Sequence, residues 1–147
     1  MDTKIYIGAD HAGFKLKESA KKFLDSLGIE YEDCGALKLN KNDDYPVFAA
    51  KVAKNVSKSK SFGILFCGSS QGICIAANKI KGIRAVAVNN VKDAQLTRLH
   101  NDANVLCLSG WNTSKSNAEK IIKTFLFTMF SGEERHKRRI NQIMRLE

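Results

Sequence analysis

The period of the apolar positions changes repeatedly along the chain. Residues 4–8 (Lys-Ile-Tyr-Ile-Gly) form a short β-rich run closed by glycine. Phe14, Leu16, Ala20, Phe23, Leu24 and Leu27 then fall at helical spacing, and Gly28 stops the pattern, which predicts a helix over residues 14–27. A second strand is predicted over residues 29–33. A polar stretch over residues 38–44 leads to Tyr45-Pro46, where the chain's single proline can open a helix carrying Val47, Ala50, Val52, Ala53 and Val56 inward. Residues 62–66 (Phe-Gly-Ile-Leu-Phe) are almost wholly apolar, as in a strand buried on both faces of a parallel sheet.

The remainder repeats this alternation. A helix is predicted over residues 73–79, a buried strand over 83–88, a helix over 93–100 and a strand over 105–108. Two further helices are predicted over 114–130 and 133–146. Strands alternating with helices imply βαβ units and a mainly parallel sheet, here of five strands. Right-handed crossovers make this a doubly wound, three-layer α/β/α domain over residues 1–147.

Composition narrows the class without naming a function. Of 147 residues, 44% are hydrophobic and 27% charged, which suits one globular domain and argues against disorder. No apolar run reaches the roughly 18–20 residues of a membrane span. Met1-Asp2-Thr3-Lys4 leads directly into a strand, without a signal-peptide layout. Cys34, Cys67, Cys74 and Cys107 are too widely spaced for a zinc ribbon, and we read them as reduced thiols of a cytoplasmic protein. The formal charge of +9 predicts attraction to anions. Because the basic residues are spread along the chain without interleaved aromatics, a nucleic-acid partner is not expected.

In a doubly wound sheet, ligands bind beyond the carboxyl ends of the strands. The first such end carries Asp10-His11, read either as a helix cap with an exposed histidine or as a ligand-facing pair. The third carries Cys67-Gly68-Ser69-Ser70-Gln71-Gly72. The amides of this small-residue loop suit an anion or oxyanion, and a cysteine there is expected to have a lowered pKa. The alternative for Cys67 is a small buried residue closing a turn. A cysteine phosphatase would need arginine six positions after the cysteine, where Ile73 stands. A Walker loop and a Gly-x-Gly-x-x-Gly turn are both absent. His100 suits either a helix C-terminus or a site. Arg135 and Arg139, four apart, share one helix face that either clamps a phosphate or is simply solvated.

Taken in order, Gly8-Ala-Asp10-His11-Ala-Gly13-Phe-Lys-Leu-Lys, Asp44-Tyr45-Pro46, Cys67-Gly68-Ser69, Gly72-Ile-Cys-Ile-Ala-Ala-Asn78-Lys79, Gly82-Ile-Arg84-Ala, His100-Asn101-Asp102-Ala-Asn104-Val and Arg135-His136 with Arg139 resemble the type B ribose-5-phosphate isomerase family, which includes galactose-6-phosphate isomerase subunits. The resemblance covers nearly the whole chain. It implies a Rossmann-like sheet, a homodimer or dimer of dimers with shared active sites, and aldose–ketose isomerisation of a small sugar phosphate without metal or organic cofactor. It implies that Cys67 moves a proton between C1 and C2, and that Ser69 with the loop from Gly68 through Ser70 to Gly72 stabilises the enediolate. Asp10 and His100, the latter from the other subunit, would open the furanose ring. Asn101 and Tyr45 would hold sugar hydroxyls, and His11, Arg135 and Arg139 the phosphate. The chain departs from the family at Ser70, commonly glycine, at Gln71, and at Trp111, where an arginine of the phosphate grip usually stands. That last departure predicts a weakened grip, one re-formed by a nearby lysine, or a different sugar. A binding protein without activity on the same scaffold is the expectation from a different class.

Overall fold

The computed structural model describes residues 4–147, so the reading of residues 1–3 as no part of a signal peptide lies outside the described residues. The chain folds as β1 (Ile5–Ala9), α1 (Phe14–Ser26), β2 (Tyr31–Asp33), α2 (Tyr45–Ser59), β3 (Phe62–Cys67), α3 (Gln71–Ala77), β4 (Ala85–Ala87), α4 (Val91–Asn101), β5 (Val105–Ser109), α5 (Lys115–Phe127) and α6 (Glu134–Met144). Its five strands pair in parallel in the order β2-β1-β3-β5-β4. The predicted three-layer α/β/α architecture is therefore the observed one. No helix among the described residues is long and apolar enough to cross a membrane.

Alternation along the strands divides the core in two. Ile5, Ile7, Ala9, Ile64, Phe66, Leu106 and Leu108 point to one face, where they pack on α1, α4 and α5. Leu65, Cys67, Val105 and Cys107 point to the other, under α2 and α3. Successive residues of a strand face opposite sides, so a strand between two helical layers must be apolar throughout. That is why β3 and β5 read as unbroken apolar runs. The same alternation turns the Cys67 side chain towards α2 and α3.

The edge strands are shorter than their apolar patterns predict. Ile29 is not in β2, because its amide donates to Leu24 O at 3.0 Å and so completes the end of α1. Arg84 is not in β4, because its amide donates to the Asn104 side chain at 2.8 Å. β3 runs one residue longer than predicted and takes in Cys67, pairing it with Ser109. α5 ends at Phe127 rather than residue 130, and the Ser131 amide then donates to Leu99 O at 3.1 Å, which folds the chain back over α4.

One buried charge was absent from the periodicity reading. Lys17 on α1 is 0% exposed, and its ammonium donates to Asp33 at 2.5 Å and to Glu18 at 2.9 Å. Lys21 donates to the same Asp33 oxygen at 2.8 Å. Burial pushes the Asp33 carboxyl up, but hydrogen bonds from Lys17 and Lys21 outweigh it and hold the group below the usual carboxylate range. This cluster ties α1 to the end of edge strand β2.

Candidate active site

β1 and β3 are neighbours, and the chain leaves them in opposite directions across the sheet. Their carboxyl ends therefore flank the crevice where strand order reverses, the place an open α/β sheet offers a ligand. Close approach of the two loops needs a glycine. An added methyl at Gly13 would lie 2.4 Å from the Phe66 carbonyl carbon, so no larger residue fits there without moving β3. The Asp10 amide donates to Phe66 O at 3.3 Å across the same gap.

A cavity of about 340 Å3 opens at this crevice, lined from β1 by Asp10, His11 and Ala12 and from the β3 loop by Cys67, Gly68, Ser69 and Gly72. Tyr45 at the start of α2 and Trp111 after β5 complete it. Its volume is near the lower end for small-molecule sites. The structure thus brings together seven of the expected site residues, Asp10, His11, Tyr45, Cys67, Gly68, Ser69 and Gly72. No lysine or arginine of this chain lines the cavity among the described residues.

Cys67 differs from its sequence reading. A lowered pKa was expected from the loop amides. Burial instead pushes the thiol up, because the side chain is 4% exposed and a thiolate there is poorly solvated. The amides of Ile73, Ser70 and Ser69 pull it back down, the Asp10 charge pushes it further up, and the net direction is upward. Asp10 is buried as well, which raises its carboxyl. The Gly13 amide, donating to Oδ1 at 3.0 Å, and the His11 charge partly offset this.

Ser70 can act only through its backbone, since its side chain is 0% exposed and its hydroxyl donates to the Ser69 carbonyl. Its φ of 69° lies in the left-handed region that favours glycine, which accounts for the residue type common at this position in the resembled family. Only the backbone of Ser70 is turned towards Cys67.

His11 has a partner that sequence reasoning missed. Asp43 Oδ1 accepts from both the His11 amide at 2.9 Å and the His11 ring Nδ1 at 2.8 Å. The Asp43 side chain is only 9% exposed, and its other oxygen is buried without a hydrogen-bond partner among the described residues. A buried carboxylate needs its countercharge close by, and the bonded imidazole supplies it. The Asp43 hydrogen bond accordingly raises the His11 pKa, with the Asp10 charge adding to the effect. Asp43 lay unmarked in the polar stretch before Tyr45-Pro46, and 32 residues separate it from His11, so no local signal joined them. Asp10, His11 and Asp43 place one donor atom each within 4.8 Å of one another, a spacing a cation can use. Here the Asp43 oxygen is already committed to both His11 bonds, and we assign the group to orienting that ring.

The other expected site residues lie elsewhere. His100 ends α4, and its ring centroid is 4.5 Å from that of His136 on α6. The next strand, β5, begins beside the start of β3, so His100 and Asn101 sit at the amino ends of the strands. The length of β3, roughly 17–20 Å at 3.3 Å per residue, separates them from Cys67. Arg98 anchors this end, its guanidinium donating to Asp102 Oδ1 at 2.7 Å and to Ala103 O at 2.6 Å. Asn101 borders a groove along edge strand β4. Arg135 and Arg139 are exposed on α6, with Arg135 paired to Glu133 at 2.7 Å. A single chain therefore holds two separate halves of the expected constellation.

The Ribose/Galactose Isomerase family profile matches residues 5–143. The chain is 44% identical to the probable ribose-5-phosphate isomerase B of Mycoplasma genitalium, covering 100% of this chain and 97% of that one. It is 39% identical to ribose-5-phosphate isomerase B of Mycobacterium tuberculosis, covering 98% and 90%. It aligns with the crystal structure of the Mycoplasma genitalium enzyme with bound ribulose-5-phosphate at a TM-score of 0.95 and 42% identity, covering 99% and 97%. It aligns equally well, at 0.95 and 42%, with the type B ribose 5-phosphate isomerase of Trypanosoma brucei over 100% of both chains. With near-complete coverage by sequence and by structure, this chain belongs to the ribose/galactose isomerase family.

Proposed function

We propose that the protein interconverts ribose 5-phosphate and ribulose 5-phosphate through an enediolate, with Cys67 as the base. The observation that carries this is Cys67 at the end of β3, set against Asp10 and a loop whose backbone amides face its sulfur, in one small cavity at the crevice of the sheet. Relatives alike over nearly their full length bear the name of this activity. In the open-chain aldose, the Cys67 thiolate takes the proton from C2. Negative charge moves onto the C1 oxygen, where Ser69 and the loop amides stabilise it; the O2 hydroxyl proton then passes to O1, and the same thiol returns the carbon-bound proton to C1 as the C2 carbonyl forms. Asp10, whose carboxyl is raised by burial, serves ring opening with His100. Tyr45 and Asn101 hold hydroxyls, and His11, Arg135 and Arg139 hold the phosphate.

Because His100, Asn101 and the two arginines stand away from the Cys67 cavity, the reading requires a homodimer, alone or paired into a tetramer, in which one subunit's α4 and α6 complete the other's site. Exposed Ile75 on α3 offers apolar surface, and the open edge of β4 offers unpaired backbone groups, to such a partner. The four free thiols suit the cytoplasm.

The test is ketose formation from ribose 5-phosphate without added metal, with Cys67→Ala run in parallel. Wild-type turnover that drops about 10²- to 10⁴-fold in the variant is expected for loss of a general base. Equal turnover by both proteins would remove Cys67 from the mechanism. A second reading, isomerisation of another sugar or sugar phosphate, draws on Trp111 and on the lack of a lining lysine or arginine. Faster turnover of a six-carbon sugar phosphate such as allose 6-phosphate would favour it.

A further inference from the structure

The cavity has two aromatic walls. The Trp111 indole lies flat against the β3 loop, so that a methyl at Gly68 would come within 2.5–2.7 Å of three indole carbons. Tyr45 covers Gly72 in the same way, with a methyl there reaching 2.6 Å from Cζ. Trp111 is nevertheless 72% exposed in the single chain. It is not loosely held. Its amide donates to Gly68 O at 3.2 Å, and the Gly110 amide donates to Cys67 O at 2.8 Å. Ser109 Oγ donates to Gly68 O at 2.6 Å and accepts from the Asn112 amide at 3.1 Å. The backbone thus pins a bare indole at the mouth of the cavity.

An uncharged indole offers a phosphate dianion no countercharge and at most one N–H donor. It does offer a flat apolar surface to the C–H groups of a sugar, whose hydroxyls would turn towards the polar groups of the same cavity, Asp10 and Ser69. We propose that Trp111 is a specificity-determining residue, stacking on the C–H face of the sugar so that this wall recognises the carbon skeleton while the phosphate is bound elsewhere. The inference rests on the isomerase reading and deepens it.

Trp111 is the only tryptophan in the chain, so selectively excited tryptophan emission reports on this wall alone. Ribose 5-phosphate, ribose and inorganic phosphate would each be titrated into the Cys67→Ala protein, which binds without turnover. A saturable change in emission is expected with ribose 5-phosphate, a weaker one with ribose, and none with inorganic phosphate. In otherwise wild-type enzyme, Trp111→Ala should raise KM for ribose 5-phosphate roughly three- to tenfold, and Trp111→Phe should recover most of it. Inhibition by inorganic phosphate should be unchanged in both. Silent emission at saturation, a phosphate-only change equal to that of the sugar phosphate, or an unmoved KM in Trp111→Ala would overturn the stacking role. Wild-type turnover with silent emission removes this inference alone. No turnover of ribose 5-phosphate by the wild type removes the isomerase reading, and this inference with it.

Discussion

Cys67 and His11 titrate in opposite senses, and the proposed reaction needs both in their charged forms. Burial raises the Cys67 thiol, so the thiolate fraction is small at neutral pH and grows as pH rises. The ascending limb of kcat/KM should therefore lie above about pH 8.5, the value of a free thiol. Inactivation by iodoacetamide should follow the same limb, and a limb well below that pH would contradict the burial argument. His11 is the reverse case. The Asp43 carboxylate raises its pKa, so the imidazolium persists to higher pH and is lost as pH rises through that value. Asp43→Asn removes the negative charge and should return His11 to its ordinary range. KM for ribose 5-phosphate should then rise several-fold near about pH 7.5 and change little near about pH 5.5, where the ring is protonated in either protein. An imidazole NMR titration that leaves His11 unshifted by Asp43→Asn would refute the assignment.

Among the elements, α1 and β2 show how a sequence pattern can be locally sound and still incomplete. Helical spacing correctly places Leu16, Ala20 and Leu24 in the core, yet Lys17 is buried beside them. Its burial is possible only because Asp33 ends the neighbouring strand. Asp33→Ala leaves that lysine without its closest partner and should cost roughly 3–5 kcal/mol of stability, measured by urea denaturation. A Lys17→Met/Asp33→Leu double variant should regain most of the loss, since an apolar pair needs no countercharge. The pH dependence has a definite sign. Asp33 is depressed in the folded protein, so its contribution is present above the usual aspartate value of about 3.9 and is lost as pH falls through the lower folded value. A wild-type denaturation midpoint that does not drop between about pH 5 and pH 2 would show the cluster to be neutral. The edge strands β2 and β4 were over-read for a related reason: the extent of a strand depends on its pairing partner, and an edge strand has only one.

For the whole molecule, separation of the two half-sites makes a prediction that no single residue could. If each site takes Cys67 from one subunit and His100 from another, Cys67→Ala and His100→Ala are each inactive alone. Mixing them by refolding or co-expression should restore about a quarter of wild-type activity, because half of the dimers are mixed and each mixed dimer holds one intact site. No recovery, with mixed dimers demonstrated by mass, would sink the shared site. The net charge of +9 also belongs to this scale. It favours the approach of a phosphorylated substrate over the whole surface, and among the described residues no lysine or arginine of the same chain lines the cavity.

The sequence by itself determined the elements and their class. Unbroken apolar runs such as Phe62–Cys67 can be satisfied only between two helical layers, and helical spacing, glycine stops and Pro46 mark most element ends within a few residues. The Asp10-His11 and Cys67 loops were legible as site segments because ligands in such sheets lie beyond strand ends. Tertiary structure alone decided what these segments meet. Strand order set the crevice between β1 and β3, and no local period encodes that order. Packing buried Cys67 under α2 and α3, so desolvation overcame the loop amides that had suggested an acidic thiol. It brought Asp43 across 32 residues to His11 and laid Trp111 over Gly68. It also carried His100 to the far end of the sheet, since a helix between parallel strands must run back to where the next strand begins.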